Sequence, residues 1–222
     1  MSLDGSDQPW RRVADQRALA VLLVRHGRTS FNAEHRFCGG RSDPPLDERG
    51  REQAAALGQR FAGEVDKVWC SPQQRAQQTA AGLAAAGLAG AAGAPVVIEG
   101  LRELDQGAFE GLDFQPILTE HAAFFRAWKR DPTHVQIPGG GESMGELAQR
   151  VDGGVQQILA QLGGSWRGRV IAVVCHQMAQ AAFVCHALNQ PLRDWPQFQL
   201  RNATANLLSW DRKRWSLVAR NL

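Results

Sequence analysis

This 222-residue sequence predicts an α/β domain: a three-layer sandwich with a mostly parallel central sheet, helices on both faces and a small helical cap insertion. Three observations predict it. Residues 18–24 (ALAVLLV) and 169–175 (RVIAVVC) are near-continuous apolar runs, as strands buried on both faces must be. Helical patterns fall between the strand patterns, and such alternation favours parallel strands joined by helical crossovers. The alternation breaks once, at residues 107–142, where Phe109, Phe114, Phe124, Phe125 and Trp128 gather before a Gly139-Gly140-Gly141 turn.

Taken in order, residues 1–17 read as a polar, poorly ordered lead-in, and a single domain runs from 18 to 222. Strands are expected at 18–24, 65–70, 95–98 and 169–175. Two more, at 204–210 and 215–220, flank Asp211-Arg212-Lys213-Arg214 as an antiparallel hairpin. Asp47 can cap a helix running to about Phe61. Ser71-Pro72 reads as an N-cap and first helical position, opening a helix to about Ala86. Ser143 and Glu146 fit a capping box, opening a helix to about Leu162. A further helix spans about 177–188, with His186 expected to pack inside it. The Ala/Gly-rich stretch 87–95 reads as a loop.

Composition narrows the class. Hydrophobic residues make up 44% and charged residues 21%, which excludes a disordered tail, a collagen-like repeat and a coiled coil. A net charge of +3 is too small to argue for nucleic acid, and the seven Trp are not interleaved with basic residues. Four cysteines with no CxxC pair suggest neither a disulfide framework nor a zinc site, so a reducing cytoplasm is expected. No secretory or membrane-spanning run is visible, so no membrane partner is expected. The surface patterning leaves a homodimer open. Lys occurs only at Lys67, Lys129 and Lys213; every other basic residue is Arg, the better planar clamp for phosphate or carboxylate.

The chemistry gathers at strand ends. Val24 is followed by Arg25-His26-Gly27, and Cys175 by His176-Gln177. Ligands of open parallel sheets sit at the carboxyl ends of strands. His26 and His176 are therefore expected at one edge, facing each other if their strands are neighbours. Each alone reads as a packing residue; the equivalent placement of two favours a site. Arg75, in the first turn after the 65–70 strand, reaches the same edge. Arg25 and Arg75 would form a guanidinium clamp suited to a dianion such as phosphate.

These residues lie in six ordered motifs: LVRHGRTSFN (23–32), DPPLDERGREQA (43–54), SPQQRAQQTA (71–80), LRELDQGAFEG (101–111), GGES (140–143) and VCH (174–176). Together they resemble the histidine phosphatase superfamily, which includes the cofactor-dependent phosphoglycerate mutases. The matches cover about residues 20–210. The resemblance implies that His26 is a nucleophile that becomes a phosphohistidine. It implies that Arg25, Arg75, His176 and Asn32 form a phosphate pocket, and that Glu103 is the acid protonating the leaving oxygen. Asp105 and Glu110 compete for that last role. Two Arg and a second His can stabilise a transferring phosphoryl group unaided, so neither a metal nor a cofactor is expected.

Three positions depart from the family's commonest form. Arg28 stands where Glu is frequent, adding positive charge at the expected pocket mouth. Gln177 stands where Gly is frequent, and its amide could donate to phosphate. The loop Cys38–Asp43 lacks a Gln common there, so a pocket contact is lost or made by Arg41. The expected function is a metal-independent phosphomonoester hydrolase of the small phosphatase branch, acting on a small phosphorylated metabolite. A phosphoglycerate mutase and a phosphate-ligand binding module without turnover are the alternatives. The cap should choose the leaving group, with its aromatics as an apolar wall and Arg126, Lys129 and Arg130 as anion contacts.

Overall fold

A computed structural model describes residues 8–87 and 93–222. The described residues open with helix α1 (Pro9–Asp15), strand β1 (Leu19–Arg25) and the short helix α2 (Ser30–Ala33). Helix α3 (Glu48–Arg60), strand β2 (Lys67–Cys70), helix α4 (Gln74–Ala85) and the two-residue strand β3 (Val96–Val97) follow. The segment 107–142, expected to form a cap, holds helices α5 (Phe114–Glu120) and α6 (Ala122–Arg130). Helix α7 (Met144–Leu162), strand β4 (Val170–Cys175), helix α8 (Gln177–Ala187) and strands β5 (Ala205–Trp210) and β6 (Trp215–Ala219) complete the domain.

Among the described residues the sheet has six strands in the order β3-β2-β4-β1-β5-β6. β1, β2, β3 and β4 run parallel, while β5 and β6 are antiparallel to their neighbours. The continuous apolar runs are explained by β1. Leu19, Val21 and Leu23 enter the core beneath α7 and α8, and Ala20, Leu22 and Val24 enter the opposite core beneath α1, α3 and α4. β4 alternates in the same way. Two-sided burial requires this composition and fixes the register, because a one-residue slip would exchange the two faces.

Two helices are capped where the sequence placed their caps. Asp47 accepts from Gly50 N at 2.7 Å, and Ser143 and Glu146 form a reciprocal capping box. The first turn of α3 packs against the β1–α2 loop so closely that a Cβ on Gly50 would meet Arg28 O at 2.0 Å. Gly107 has φ +51°, and a Cβ there would meet Pro138 O at 2.1 Å. This is the neck of the cap. Ala108 N donates to Pro138 O at 2.7 Å and Glu142 N to Asp105 O at 2.9 Å, lacing its two ends together. Its far side is held by Phe37 N to Leu112 O and Gly111 N to Phe37 O.

Several expectations are corrected. The lead-in 1–17 includes α1, because Pro9 suits a first helical turn and Trp10 packs edge-on against Phe61 at 4.9 Å. Trp10 and Val13 are buried there; residues 1–7 lie outside the described set. α4 starts at Gln74, two residues beyond the predicted position, because Ser71 is engaged by His176 and residues 71–73 turn before the helix begins. Strand 95–98 shrinks to two residues at the sheet edge. Part of the expected loop 87–95 lies outside the described residues.

Candidate active site

The strand register delivers the site. β1 and β4 pair with Arg25 opposite Cys175, so His26 and His176 leave the sheet side by side at its carboxyl edge. Their ring centroids are 5.2 Å apart. β2 pairs with β4 so that Cys70 lies opposite Val174. The next residue, Ser71, then places its Oγ 2.7 Å from His176 Nε2.

His26 Nδ1 lies 2.7 Å from Gly27 O. A carbonyl oxygen only accepts, so Nδ1 carries the hydrogen and Nε2 keeps its lone pair. Burial, then the charges of Arg75 and Arg25, push this imidazole's pKa well below its ordinary value. His176 is depressed in the same direction, first by burial, then by Arg75 and His26. Both rings are therefore neutral across the physiological range.

Glu103 is buried, and its carboxyl caps the first turn of α8. Oε2 accepts from Met178 N and Oε1 from Ala179 N, each at 3.0 Å, and Oε1 also takes Leu104 N at 2.9 Å. Those amides favour the ionised form, but burial outweighs them and raises the pKa above the usual carboxyl range. The rival carboxyls are occupied elsewhere. Asp105 pairs with Arg41 at 2.8 Å, and Glu110 accepts from the backbone of Gly39, Arg41 and Ser42.

A cavity of about 470 Å³ opens beside these groups. Arg25, His26, Asn32, Glu103 and Gln177 line it. Arg25 Nη1 donates to Leu200 O at 2.8 Å and to Gln177 Oε1 at 3.3 Å, while Leu200 N donates to the same Gln177 oxygen at 3.0 Å. Gln177 therefore fixes Arg25 through its carbonyl, and its Nε2 is left buried and without a partner. Asn32 Oδ1 accepts from Thr29 N and Asn202 Nδ2, each at 3.2 Å. His176 and Arg75 stand behind this wall with no exposed surface. The Cys38–Asp43 loop takes hold of Arg75: Nη1 donates to Ser42 O at 2.9 Å and Nη2 to Gly39 O at 3.1 Å.

Four supporting residues escaped the sequence reading. Gln73 accepts from Glu103 N at 2.9 Å and donates to Gly39 O and Ser42 O, joining the acid's segment to the loop over Arg75. Thr79 accepts Gly27 N at 3.0 Å and donates to Arg75 O at 2.7 Å, the one case with a sequence signal, four residues after Arg75 on a helix. Asn202 donates to His26 O at 3.2 Å. Arg150 pairs with Glu142 at 2.7 Å and donates to Glu103 O at 3.2 Å. The last two come from distant segments that only folding brings together.

Other expectations fail here. Arg28 adds no charge at the cavity, because its Nε is bound to Asp47 at 2.7 Å. Arg41 makes no pocket contact; beyond Asp105 it donates to Gly139 O and Gly140 O. Arg126, Lys129 and Arg130 do not line the cavity, whose cap side is aromatic. His186 is exposed on α8, 3.7 Å from Asp152, and does not pack in the core.

The chain is similar in sequence and in fold to known proteins. The sequence matches the family model of the histidine phosphatase superfamily (branch 1) over residues 21–222. It is 28% identical over 204 residues to phosphoserine phosphatase 1 of Hydrogenobacter thermophilus, covering 91% of this chain and 92% of that one. It is 32% identical over 199 residues to a Salmonella choleraesuis protein named "Probable phosphoglycerate mutase GpmB", covering 89% and 87%. Among solved structures, a mycobacterial glucosyl-3-phosphoglycerate phosphatase in complex with VO3 superposes with TM-score 0.80 at 30% identity, covering 92% of this chain and 98% of that one.

Proposed function

The chain belongs to the histidine phosphatase superfamily, and from that membership we propose that it is a phosphomonoesterase of small phosphorylated metabolites working through a phosphohistidine on His26. The observation that carries this reading is the Gly27 carbonyl on Nδ1, which leaves a neutral imidazole with a free Nε2 beside the cavity.

In the first step Nε2 attacks phosphorus in line, the P–O bond to the leaving group breaks, and the departing oxygen takes the proton of Glu103. The raised pKa of that buried carboxyl supports the acid role. In the second step water attacks the phosphohistidine, Glu103 takes its proton, the N–P bond breaks, and inorganic phosphate leaves. Arg25, held by Gln177 and Leu200, faces the transferring oxygens from the cavity wall. Arg75 and His176 supply positive field and a neutral donor from behind. Each step uses side chains alone, so turnover should survive a chelator. The four free cysteines suit a cytoplasmic setting.

Hydrolysis of 4-nitrophenyl phosphate between pH 5 and 8, with and without chelator, tests the reading. His26→Ala should lose turnover by about 10⁴-fold or more. Activity that outlives His26 would overturn the mechanism. The likeness to a protein named as a mutase makes a primed phosphoglycerate mutase assay the companion measurement.

A further inference from the structure

The cavity divides into two unlike halves. At one end stand the groups that would meet a phosphate: Arg25, His26 and Glu103. Away from that end the lining is dominated by rings. Phe109 and Phe125 lie nearly parallel at 5.5 Å and 27°, and Phe37 continues the stack at 6.3 Å and 15° from Phe125. Phe124 meets both Phe109 and Phe125 edge-on, and Trp128 meets Trp195 in the same manner at 5.9 Å. Leu118 and Ile137 fill between them.

Among the described residues, the single charged side chain lining this second half is Arg36, and it is already engaged. Its Nε donates to Gly111 O at 2.6 Å, Glu34 and Asp113 lie at 3.4 and 3.9 Å, and its guanidinium covers the Phe31 ring. A leaving group bearing a carboxylate would surrender its hydration to phenylalanine faces with no free cation to receive it. A polyhydroxylated sugar would find the Gln106 and Gln199 amides and leave its remaining hydroxyls against ring faces. A flat uncharged ring system meets neither penalty and finds offset-stacked and edge-to-face partners on several sides.

Resting on the phosphomonoesterase reading, we propose that the leaving group is an uncharged aromatic alcohol the size of one or two fused rings, and that Phe37, Phe124, Phe125 and Trp128 select it. The phosphate is read at the sheet edge and the ring by the cap.

Binding of non-hydrolysable phosphonates, measured by calorimetry on the full chain, tests the selection without requiring turnover. 2-Naphthylmethylphosphonate should bind about 100-fold tighter than methylphosphonate, as burial of a bicyclic ring's faces implies. It should also outbind cyclohexylmethylphosphonate, which is apolar but not flat, and 3-phosphonopropionate, which carries a carboxylate. In turnover, kcat/KM for 2-naphthylmethyl phosphate should exceed that for phosphoserine, although the serine alcohol, beside its ammonium, is intrinsically the better leaving group of the two. Phe125→Arg should lower the naphthyl-to-carboxylate ratio at least about tenfold by placing a free cation among the rings. If that variant does not fold, the wild-type ratios decide. Equal binding of the naphthyl and cyclohexyl compounds, or preference for the carboxylate, would overturn the inference while His26-dependent hydrolysis left the phosphatase reading standing. Loss of all phosphonate binding together with all hydrolysis would overturn both.

Discussion

Glu103 shows how one residue's chemistry is set by competing surroundings. Three amides solvate its carboxylate while burial opposes the charge, and burial prevails. The acid form therefore persists above the usual carboxyl range, and kcat/KM should fall as pH rises through that raised pKa. Glu103→Gln should flatten this alkaline limb. In kcat/KM, which the later water step does not enter, it should slow alkyl phosphate esters by about 10²–10⁴-fold, yet affect 4-nitrophenyl phosphate far less, because that leaving oxygen needs no proton. Equal losses on both substrates would remove Glu103 from the acid role. The neighbouring motif residues were legible because each lies immediately after a strand or in a first helical turn. Gln177 was legible as a pocket residue but not in its manner of action: its carbonyl oxygen is committed to Arg25 and Leu200 N. The tie depends on a loop 23 residues onward, which spacing does not reveal.

At the scale of elements, the β1–α2 loop and the first turn of α3 act as one piece. Gly27 N is held by Thr79, and Arg28 N by Gln53 Oε1 at 2.9 Å. Gly50→Ala would drive a methyl into the Arg28 carbonyl, where backbone meets backbone and no side chain can yield. It should destabilise the fold by about 1–3 kcal/mol and reduce turnover by displacing the loop that carries His26. Urea unfolding together with steady-state rates would check both, and an unchanged protein would mean the loop shifts freely. The strands and capped helices were legible because their periodicity and caps are local signals. α1 was not, since one buried Trp in a polar stretch acquires meaning only when Phe61 arrives from α3 to meet it. The late start of α4 has a similar cause. Ser71 answers to His176, more than a hundred residues away.

For the whole molecule, three buried ionisable groups shape the dependence of stability on pH. His26 and His176 are depressed below their ordinary value of 6.5. Below that pH the unfolded chain takes up protons that the folded chain refuses. Stability should then fall on acidification, by up to about 1.4 kcal/mol per pH unit for each histidine. Glu103 acts oppositely: above its ordinary value of 4.5 the unfolded carboxyl ionises while the folded one resists, so stability is lost as pH rises toward its raised pKa. Between pH 6.5 and 5 two histidines oppose one carboxyl, and the net effect should be loss on acidification. A His26→Asn/His176→Asn pair should remove that loss on acidification in urea titrations and leave the opposite, smaller slope of Glu103. A loss that persists would refute the neutral state of the rings. The laced neck of the cap has an evolutionary consequence at this same scale. Residues 107–142 leave and rejoin the domain through strands of chain tied to each other at Ala108–Pro138 and Asp105–Glu142. The segment is thus fastened at its neck, and Phe109, Ile117 and Ile137 root it in the core beneath α7 and α8, so exchanging it for another would disturb that core as well. Its bonds to His35, Phe37, Gly39, Arg41 and Ser42 mean that a transplanted cap must bring at least residues 35–42 with it.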